Sequence, residues 1–196
     1  MDKVILNLGC GRTKIPSAIG VDRILIPGYV DVVHDLNLLP YPFQDNYADE
    51  IHFYHVIEHL DDPLLKIEEI HRVLKQGGIL YLRAPHFSSE GAFTDITHKR
   101  PFSVFSFDVF VEGNYHSFYT EKRFKILKKE IKYFGMYPNE GVYEKYIHSN
   151  SCPLALRPFV RLMNFFINCS PKFFERIWCY WVGGACEIVL KMQKSK

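Results

Sequence analysis

Short apolar runs rich in β-branched residues recur through the first half of the chain, separated by longer polar stretches. The runs cover residues 4–8, 19–22, 30–34, 51–55 and 79–84. Runs of this length between turn residues are typical of buried strands. Strands that alternate with helical patterns along a chain form a parallel sheet. The pattern therefore predicts an α/β fold.

One helix is clearly marked between the fourth and fifth runs. Asp61 and Asp62 are good N-cap residue types, and Pro63 suits the first turn of a helix. Apolar residues then keep a helical period, and we expect the helix to end at Lys75 and the glycine pair 77–78. This helix would connect the fourth strand to the fifth.

The second half of the chain is predicted to complete the sheet and to add helices. The pattern of residues 103–110 predicts a short helix, and residues 123–134 fit either a helix or a strand. We assign a strand to 123–134 because the topology of such a sheet favours one. Two aromatic helices are predicted within residues 154–182, followed by a closing strand at 186–192. We expect one domain over residues 1–196, with a helical insertion at about 135–184.

Composition places the chain among globular proteins. It has 196 residues, of which 47% are hydrophobic and 23% charged, so it is large enough to bury a core and unlike a disordered chain. The five cysteines are odd in number and lack CxxC spacing, which disfavours a disulfide framework and a zinc site. No run of about 18 apolar residues is free of charge, and the N-terminus does not resemble a signal peptide. We expect a cytoplasmic location.

Charge is distributed unevenly along the chain. Residues 1–116 carry 10 Lys and Arg against 16 Asp and Glu, whereas residues 151–196 carry 7 against 2. An acidic first half disfavours a phosphate-backbone partner, so we expect no nucleic acid.

A glycine turn directly follows the first predicted strand. Its residues are Asn7, Leu8, Gly9, Cys10 and Gly11, and glycines allow a ligand to approach the backbone closely. The dinucleotide fingerprint would place a third glycine where this chain has lysine at position 14, which disfavours NAD. A purely structural turn is the alternative.

Carboxylates end the second and third predicted strands. Asp22 is placed to accept hydrogen bonds from ribose hydroxyls above the glycine turn, and Asp35 stands beside the apolar Leu36 at the same edge. Together, Asp35 and Leu36 suit the amino group and face of an adenine. Each aspartate taken alone is also a common turn residue.

Three stretches together resemble the class I S-adenosylmethionine-dependent methyltransferases, in particular the small enzymes of the methyltransferase-domain type (type 11-like). The stretches are NLGCG at 7–11, GVD at 20–22, and the run from HDLNLLPYPF to GGILYLRAPH at 34–86. The resemblance implies a Rossmann-like, doubly wound, mostly parallel sheet of seven strands. Their implied order is 3-2-1-4-5-7-6, with only the last strand antiparallel.

The resemblance also implies S-adenosyl-L-methionine as the cofactor and assigns its contacts. In chain order these are Asn7, Gly9, Cys10 and Gly11 for the methionine part, Asp22 for the ribose, Asp35 and Leu36 for the adenine, and Tyr54 and His55 for the sulfonium side.

The chain departs from this family in two places. Only about ten residues separate Gly11 from Asp22, so the first helix must be very short or replaced by a loop. No Asp/Asn-Pro-Pro-aromatic motif follows the fourth strand, although the family's nucleobase and amide N-methyltransferases usually carry one. Oxygen or carbon acceptors are therefore favoured.

Histidines near the ends of the fourth and fifth strands are the candidates for acid–base chemistry. Methyl transfer is an in-line displacement in which the protein positions the acceptor and, for a hydroxyl, removes a proton. Histidine suits that task, and we expect His98 first and His55 second to be catalytic. Some family members bind a divalent metal through ExxEH here, but this chain reads HVIEH, with His55 in place of the first glutamate. We expect no metal, with a site at His55, Glu58 and His59 as the alternative.

The basic C-terminal segment carries more aromatic surface than a short helix pair can easily bury. Arg157, Arg161, Asn164 and Asn168 fall on one narrow helical stripe, with apolar residues around the rest. We expect the helices either to cover the sheet or to contact another surface. That surface would be a membrane, contacted peripherally, a second copy of the chain, or the acceptor. The acceptor expected is a small molecule, a glycan or a lipid-linked intermediate. A binding module that has lost catalysis is the alternative function.

Overall fold

The computed structural model describes residues 3–133, 156–181 and 183–195. The strands within this part of the chain are β1 Ile5–Leu8, β2 Ile19–Asp22, β3 Val32–Val33, β4 Ala48–Tyr54, β5 Leu74–Pro85, β6 Phe124–Lys132 and β7 Glu187–Lys194. The helices are α1 Pro63–Val73, the single turn α2 Gly91–Thr94, and α3 Arg157–Cys169. A further helical segment, α4 (171–181), runs as Pro171–Phe173, a π-helical Phe174–Trp178 and Cys179–Trp181.

The seven strands form one sheet in the order β3-β2-β1-β4-β5-β7-β6, which confirms the predicted topology. The strands β1 to β5 pair in parallel, whereas β7 runs antiparallel to both β5 and β6. The strand assigned to residues 123–134 is confirmed as β6. Because β1, β2, β3 and β4 are parallel, their carboxyl ends meet at one edge of the sheet, where ligands bind in such folds.

Loops replace helices on one half of the sheet. Within the described residues no helix connects β1 to β2, as the short spacing from Gly11 to Asp22 predicted, and none connects β2 to β3. The predicted strand 30–34 is only two residues long, and β5 begins directly after α1 at Leu74. The prediction of a helix at 103–110 was wrong. Residues 104–107 form turns, and a single 3-10 turn follows at Asp108–Phe110.

The helix α1 begins as its sequence predicts. The carboxylate of Asp62 accepts a hydrogen bond from the backbone N–H of Leu65 at 3.2 Å, and Pro63 occupies the first turn. One side of α1 is buried against the sheet, including Ile67 and Ile70. Apolar side chains of β1, β4 and β5 form the centre of this core.

The C-terminal helices precede β7, which confirms a helical insertion before the last strand. Residues 134–155, which include the start of the predicted insertion, lie outside the described residues. Ser170, which precedes α4, makes no side-chain cap. Among the residues described, no helix is long and apolar enough to cross a membrane.

Candidate functional site

A cavity of about 530 Å³ opens at the carboxyl edge of the sheet. Of the predicted cofactor contacts, Gly9, Asp22, Asp35, Leu36 and His55 line it. The far wall comes from the loop after α2, through Ile96, Thr97 and Lys99. The fold therefore brings the glycine turn, two strand-end carboxylates and the loop after α2 around one space.

The glycine turn is shaped by close packing and by positive backbone angles. Gly9 has φ +67°, and a Cβ there would lie 2.3 Å from a methyl carbon of Val56. The N–H groups of Gly9 and Cys10 both donate to the carbonyl of Val21, at 2.8 and 3.1 Å. Because these amides are already bonded, the turn contributes a close backbone surface rather than a set of free donors.

Two other residues of this segment support the turn from behind. The side-chain oxygen of Asn7 accepts the N–H of Ile15 at 2.9 Å, and Asn7 is only 1% exposed. The thiol of Cys10 faces the carbonyl of Tyr29 at 3.6 Å, and burial raises its pKa to about 11. Neither residue lines the cavity, so as placed here they hold the loop. Their predicted contact with a cofactor is not tested by this arrangement.

Asp22 links the glycine turn to the cavity. One oxygen of its carboxylate accepts the N–H of Gly11 at 2.9 Å, and the other accepts the N–H of Ile24 at 3.2 Å. These bonds fix the carboxylate at the end of β2 while each oxygen keeps a second lone pair. Asp22 can therefore still accept hydrogen bonds from a ligand.

Asp35 and Leu36 form the wall of the cavity after β3. One carboxylate oxygen of Asp35 accepts the N–H of Asn37 at 2.9 Å, which closes a tight turn. The side chain of Leu36 is 5% exposed and belongs to the core cluster. An oriented carboxylate thus stands beside an apolar surface, as the sequence predicted.

His55 lies between two carboxylates at the end of β4. It has φ 52°; its Nε2 is 3.1 Å from Glu187 and its Nδ1 is 3.5 Å from Glu58. Burial alone would lower the pKa of His55, but the bonds to Glu187 and Glu58 outweigh it and raise the pKa to about 9. The ring is therefore positively charged at neutral pH, and it suits a donor or orienting role better than that of a base.

Tyr54 points elsewhere. Its hydroxyl is 2.8 Å from Nδ1 of His52, and the guanidinium of Arg83 lies 5.7 Å from its ring centroid. Tyr54 does not line the cavity as it is shaped here.

His98 and His59 pack against each other beside the cavity. Their ring centroids are 4.6 Å apart, and His59 lines the cavity whereas His98 lies behind it. Nδ1 of His98 donates to the carbonyl of Ala92 at 3.3 Å, so its Nε2 faces Glu58 at 4.0 Å. His98, the predicted base, therefore lies on the loop after α2 but does not contact the cavity directly.

The orientation of His59 is set by a chain of hydrogen bonds. The hydroxyl of Thr97 donates to Asp95 at 2.7 Å, and it is 2.8 Å from Nδ1 of His59, which must therefore donate to it. That tautomer leaves Nε2 of His59 as an acceptor. His59 thus has the geometry of an oriented base on the cavity wall.

Glu58 is the most unusual side chain in the site. It is 1% exposed, and among the described residues its carboxylate oxygens accept no hydrogen bond, although the charged ring of His55 lies 3.5 Å from one of them. Atoms of Glu58, His59 and His98 that could bind a metal all lie within 4.8 Å of one another. Buried carboxylates without hydrogen bonds are costly, so a ligand or a cation could satisfy this one.

Two residues at the site were missed by the sequence reasoning. Glu187 opens β7 and is 1% exposed, and its carboxylate pairs with Arg83 at 2.6 Å as well as with His55. The only signal was an arginine near the end of one predicted strand and a glutamate at the start of another. Because Glu187 is 132 residues from His55 in the chain, only the sheet order could place them together.

Comparisons with known proteins agree with this fold. Residues 21–82 match the family model of the methyltransferase domain. No protein among the curated sequences is significantly similar to the chain.

Solved structures with a similar fold cover almost the whole chain. A SAM-dependent methyltransferase from Archaeoglobus fulgidus is 19% identical, with a TM-score of 0.54, over 98% of this chain and 86% of that one. The YcgJ protein from Bacillus subtilis is 16% identical, with a TM-score of 0.55, over 100% and 93%. The [4+2]-cyclase SpnF is 18% identical, with a TM-score of 0.53, over 100% and 76%. At these identities the likeness shows the fold.

Proposed function

We propose that this chain, a class I S-adenosylmethionine-dependent methyltransferase by its fold and by the match over residues 21–82, methylates an oxygen of its acceptor. The acceptor proposed is a small molecule, a glycan or a lipid-linked intermediate. One observation carries the proposal: a single cavity has oriented carboxylates on one side and a histidine with a free acceptor nitrogen on the other.

The residues on the first side fit S-adenosyl-L-methionine. The cavity of about 530 Å³ falls within the range of about 300–1,000 Å³ that small-molecule sites occupy. Asp22 can accept from ribose hydroxyls, while Asp35 and Leu36 offer an acceptor and an apolar surface for the adenine. Gly9 lets the ligand lie against the backbone. When bound, the cofactor supplies an electrophilic methyl group on a sulfonium.

The other side of the cavity suits a hydroxyl acceptor. A hydroxyl must lose its proton as the new bond forms; His59 on the cavity wall is placed to accept it, and His98 packs against His59. The residues at the end of β4 and directly after it are Tyr54-His55-Val56-Ile57, without the proline pair of the amide and nucleobase enzymes. We keep His98 as the first candidate for the base, with His59 as the ring that contacts the cavity.

The test is turnover with a panel of hydroxylated acceptors, using His98→Gln and His59→Gln. Removing the general base should lower the rate about 10²-fold or more while leaving cofactor affinity nearly unchanged. A loss in His59→Gln with normal turnover in His98→Gln would assign the base to His59. Full activity in both variants would contradict a histidine base. No turnover by the wild type with any acceptor, despite cofactor binding, would favour the binding-module alternative.

A metal-dependent variant of the same reaction is the second candidate. The buried carboxylate of Glu58, which faces the charged ring of His55 at 3.5 Å, and the rings of His59 and His98 form a set of one oxygen and two imidazole ligands. Such sets suit Mn²⁺, Fe²⁺ or Zn²⁺ better than Mg²⁺. His98 replaces His55 in the set expected from HVIEH, because His55 is held by Glu187. A cation there would bind and polarise the acceptor hydroxyl.

Calorimetry with Mn²⁺ and Zn²⁺ tests this candidate independently of activity. Binding to the wild type should be lost in Glu58→Gln and kept in Glu112→Gln, where an exposed glutamate is changed. Manganese that binds the wild type and Glu58→Gln equally would reject the site. Turnover unaffected by a chelator would exclude a metal from the reaction.

A cytoplasmic location is part of the proposal. The described cysteines Cys10, Cys169, Cys179 and Cys186 are all free thiols, which supports a reducing compartment.

A further inference from the structure

The C-terminal helix α3 is turned with the two asparagines of its polar stripe toward the protein. Asn168 donates to the carbonyl of Ile131 and accepts its N–H, both at 2.8 Å, and Asn164 accepts the N–H of Tyr133 at 2.7 Å. These bonds attach α3 to the outer edge of β6. The apolar side of the helix is therefore turned away from the sheet.

Large apolar side chains of both helices are exposed as a result. On α3, Phe165 is 64% exposed and Phe166 57%, and on α4 Trp181 is 84% exposed. We call the whole set the aromatic face; it consists of Phe159, Leu162, Phe165, Phe166, Phe173, Ile177, Tyr180 and Trp181. Exposed apolar surface of this extent marks an interaction site.

Cations border the aromatic face. At 3.6 residues per turn, Arg157 and Arg161 lie along one side of the exposed apolar arc of α3. Both are exposed, and neither pairs with a carboxylate of the described residues. The acid in this part of the chain, Glu175, is turned inward and bonded to His86, Ser103 and the N–H of Val104.

We propose that the aromatic face docks the protein on a membrane that contains anionic lipids. Phe, Leu and Trp on the apolar side of a helix with Lys and Arg beside them are what an interfacial helix needs. With 13 residues, α3 is too short to span a bilayer and is suited to lie in its surface. Arginine stems can lie along the acyl boundary while their charged ends reach lipid phosphates.

A second copy of this chain is a poorer occupant of the same face. A two-fold contact through the face would bring Arg157 and Arg161 of one copy toward the same two arginines of the other. Lipid phosphates complement that charge, and like charges oppose a dimer. This proposal does not depend on the methyl acceptor.

Sedimentation with vesicles of phosphatidylcholine alone and of phosphatidylcholine with phosphatidylglycerol tests the proposal. The wild type should bind the anionic vesicles more tightly than the neutral ones. Each basic residue near an anionic surface contributes about fivefold, so Arg157→Gln with Arg161→Gln should weaken binding about 25-fold. Phe165→Ala with Phe166→Ala should also weaken it. The matched control, Lys122→Gln with Lys125→Gln, removes two exposed charges at the start of β6 and should bind like the wild type.

A spectroscopic readout locates the contact. The chain has two tryptophans, so Trp178→Phe leaves Trp181 as the single reporter, and its emission should shift to the blue with anionic vesicles. Unchanged circular dichroism and cofactor affinity in every variant show that the fold is intact. Failure to bind anionic vesicles, equal binding to both kinds, or a wild-type dimer that the phenylalanine variant dissociates would each overturn the proposal.

Discussion

Some residues at the cavity hold the backbone by hydrogen bonds and still keep lone pairs that can accept hydrogen bonds from a ligand. Asp22 shows this best. Its carboxylate holds the N–H groups of Gly11 and Ile24 and still faces the cavity. Asp31 makes a comparable bond to the N–H of Gly20 at 2.6 Å, but it does not line the cavity. The two aspartates therefore separate support of a loop from contact with a ligand.

We predict that Asp22→Ala weakens binding of S-adenosylmethionine by about 1.5–3 kcal/mol, because hydrogen bonds to a charged acceptor are lost. This corresponds to about 10- to 150-fold in the dissociation constant measured by calorimetry. Asp31→Ala is the control and should leave affinity close to that of the wild type. Equal losses in both variants would mean that Asp22 acts only by shaping the loop.

We predict that alanine substitution lowers the free energy of unfolding by different amounts at the two glycines of the turn. Gly11 has φ +49° and open space around it, so Gly11→Ala should cost only the left-handed conformation, about 1–2 kcal/mol. Gly9→Ala adds a clash with Val56, and overpacking of this kind costs about 1–3 kcal/mol more. Urea unfolding of both variants measures the difference. Equal destabilisation would contradict the close contact.

Residues close in sequence and at strand ends could be predicted, whereas those joined only by topology could not. Gly9, Asp22 and Asp35 each follow an apolar run, and the parallel order alone brings them together. Glu187 lies near the other end of the chain, at the start of β7, and its carboxylate reaches His55 across β5. Sequence spacing carries no information about that contact, so the charge on His55 could not be foreseen.

At the scale of elements, an asparagine stripe protects the open edge of the sheet. An edge strand leaves N–H and carbonyl groups unpaired and invites another strand. Asn168 of α3 forms side-chain hydrogen bonds with both the N–H and the carbonyl of Ile131 in β6, in the way that a neighbouring strand would. The stripe was visible in the sequence, but its partner was not.

We predict that Asn168→Ala destabilises the protein by about 1–3 kcal/mol, because it leaves the backbone groups of Ile131 unpaired beside a helix. Leu162→Ala on the exposed side of α3 should change stability by less than about 0.5 kcal/mol. Urea unfolding measures both, and hydrogen exchange of the Ile131 amide should be faster only in Asn168→Ala. Unaltered protection of that amide would show that the asparagine is dispensable.

Elements were predicted well where a local pattern agrees with tertiary packing. The strands β1, β2, β4 and β5 and the helix α1 follow their apolar runs and caps. The helix predicted at 103–110 does not form. The hydroxyl of Ser103 and the N–H of Val104 bond to Glu175 on α4, and these bonds hold the segment in turns. A contact with a segment some 70 residues away overrides the local preference there.

At the scale of the whole molecule, burial inside the sheet ties stability to pH through His52. Its side chain is 13% exposed, stacks on Tyr81 with centroids 4.7 Å apart, and bonds to the hydroxyl of Tyr54. Burial lowers the pKa of His52 to about 4, although Glu50 opposes this shift. In the unfolded chain its pKa returns to about 6.5. The unfolded state therefore binds a proton first as the pH falls.

We predict that this difference stabilises the protein above pH 6.5 and is lost as the pH falls from about 6.5 to 4, by about 1.4 kcal/mol per pH unit well inside that window. His52→Phe keeps a ring on Tyr81 but cannot be protonated, so its free energy of unfolding should fall less steeply between pH 6.5 and 5. His116→Phe changes an exposed ring and should follow the wild type. Urea unfolding across this range measures all three proteins. If His52→Phe loses stability as steeply as the wild type, the acid sensitivity comes from other groups, because a neutral, buried His52 requires the two curves to diverge.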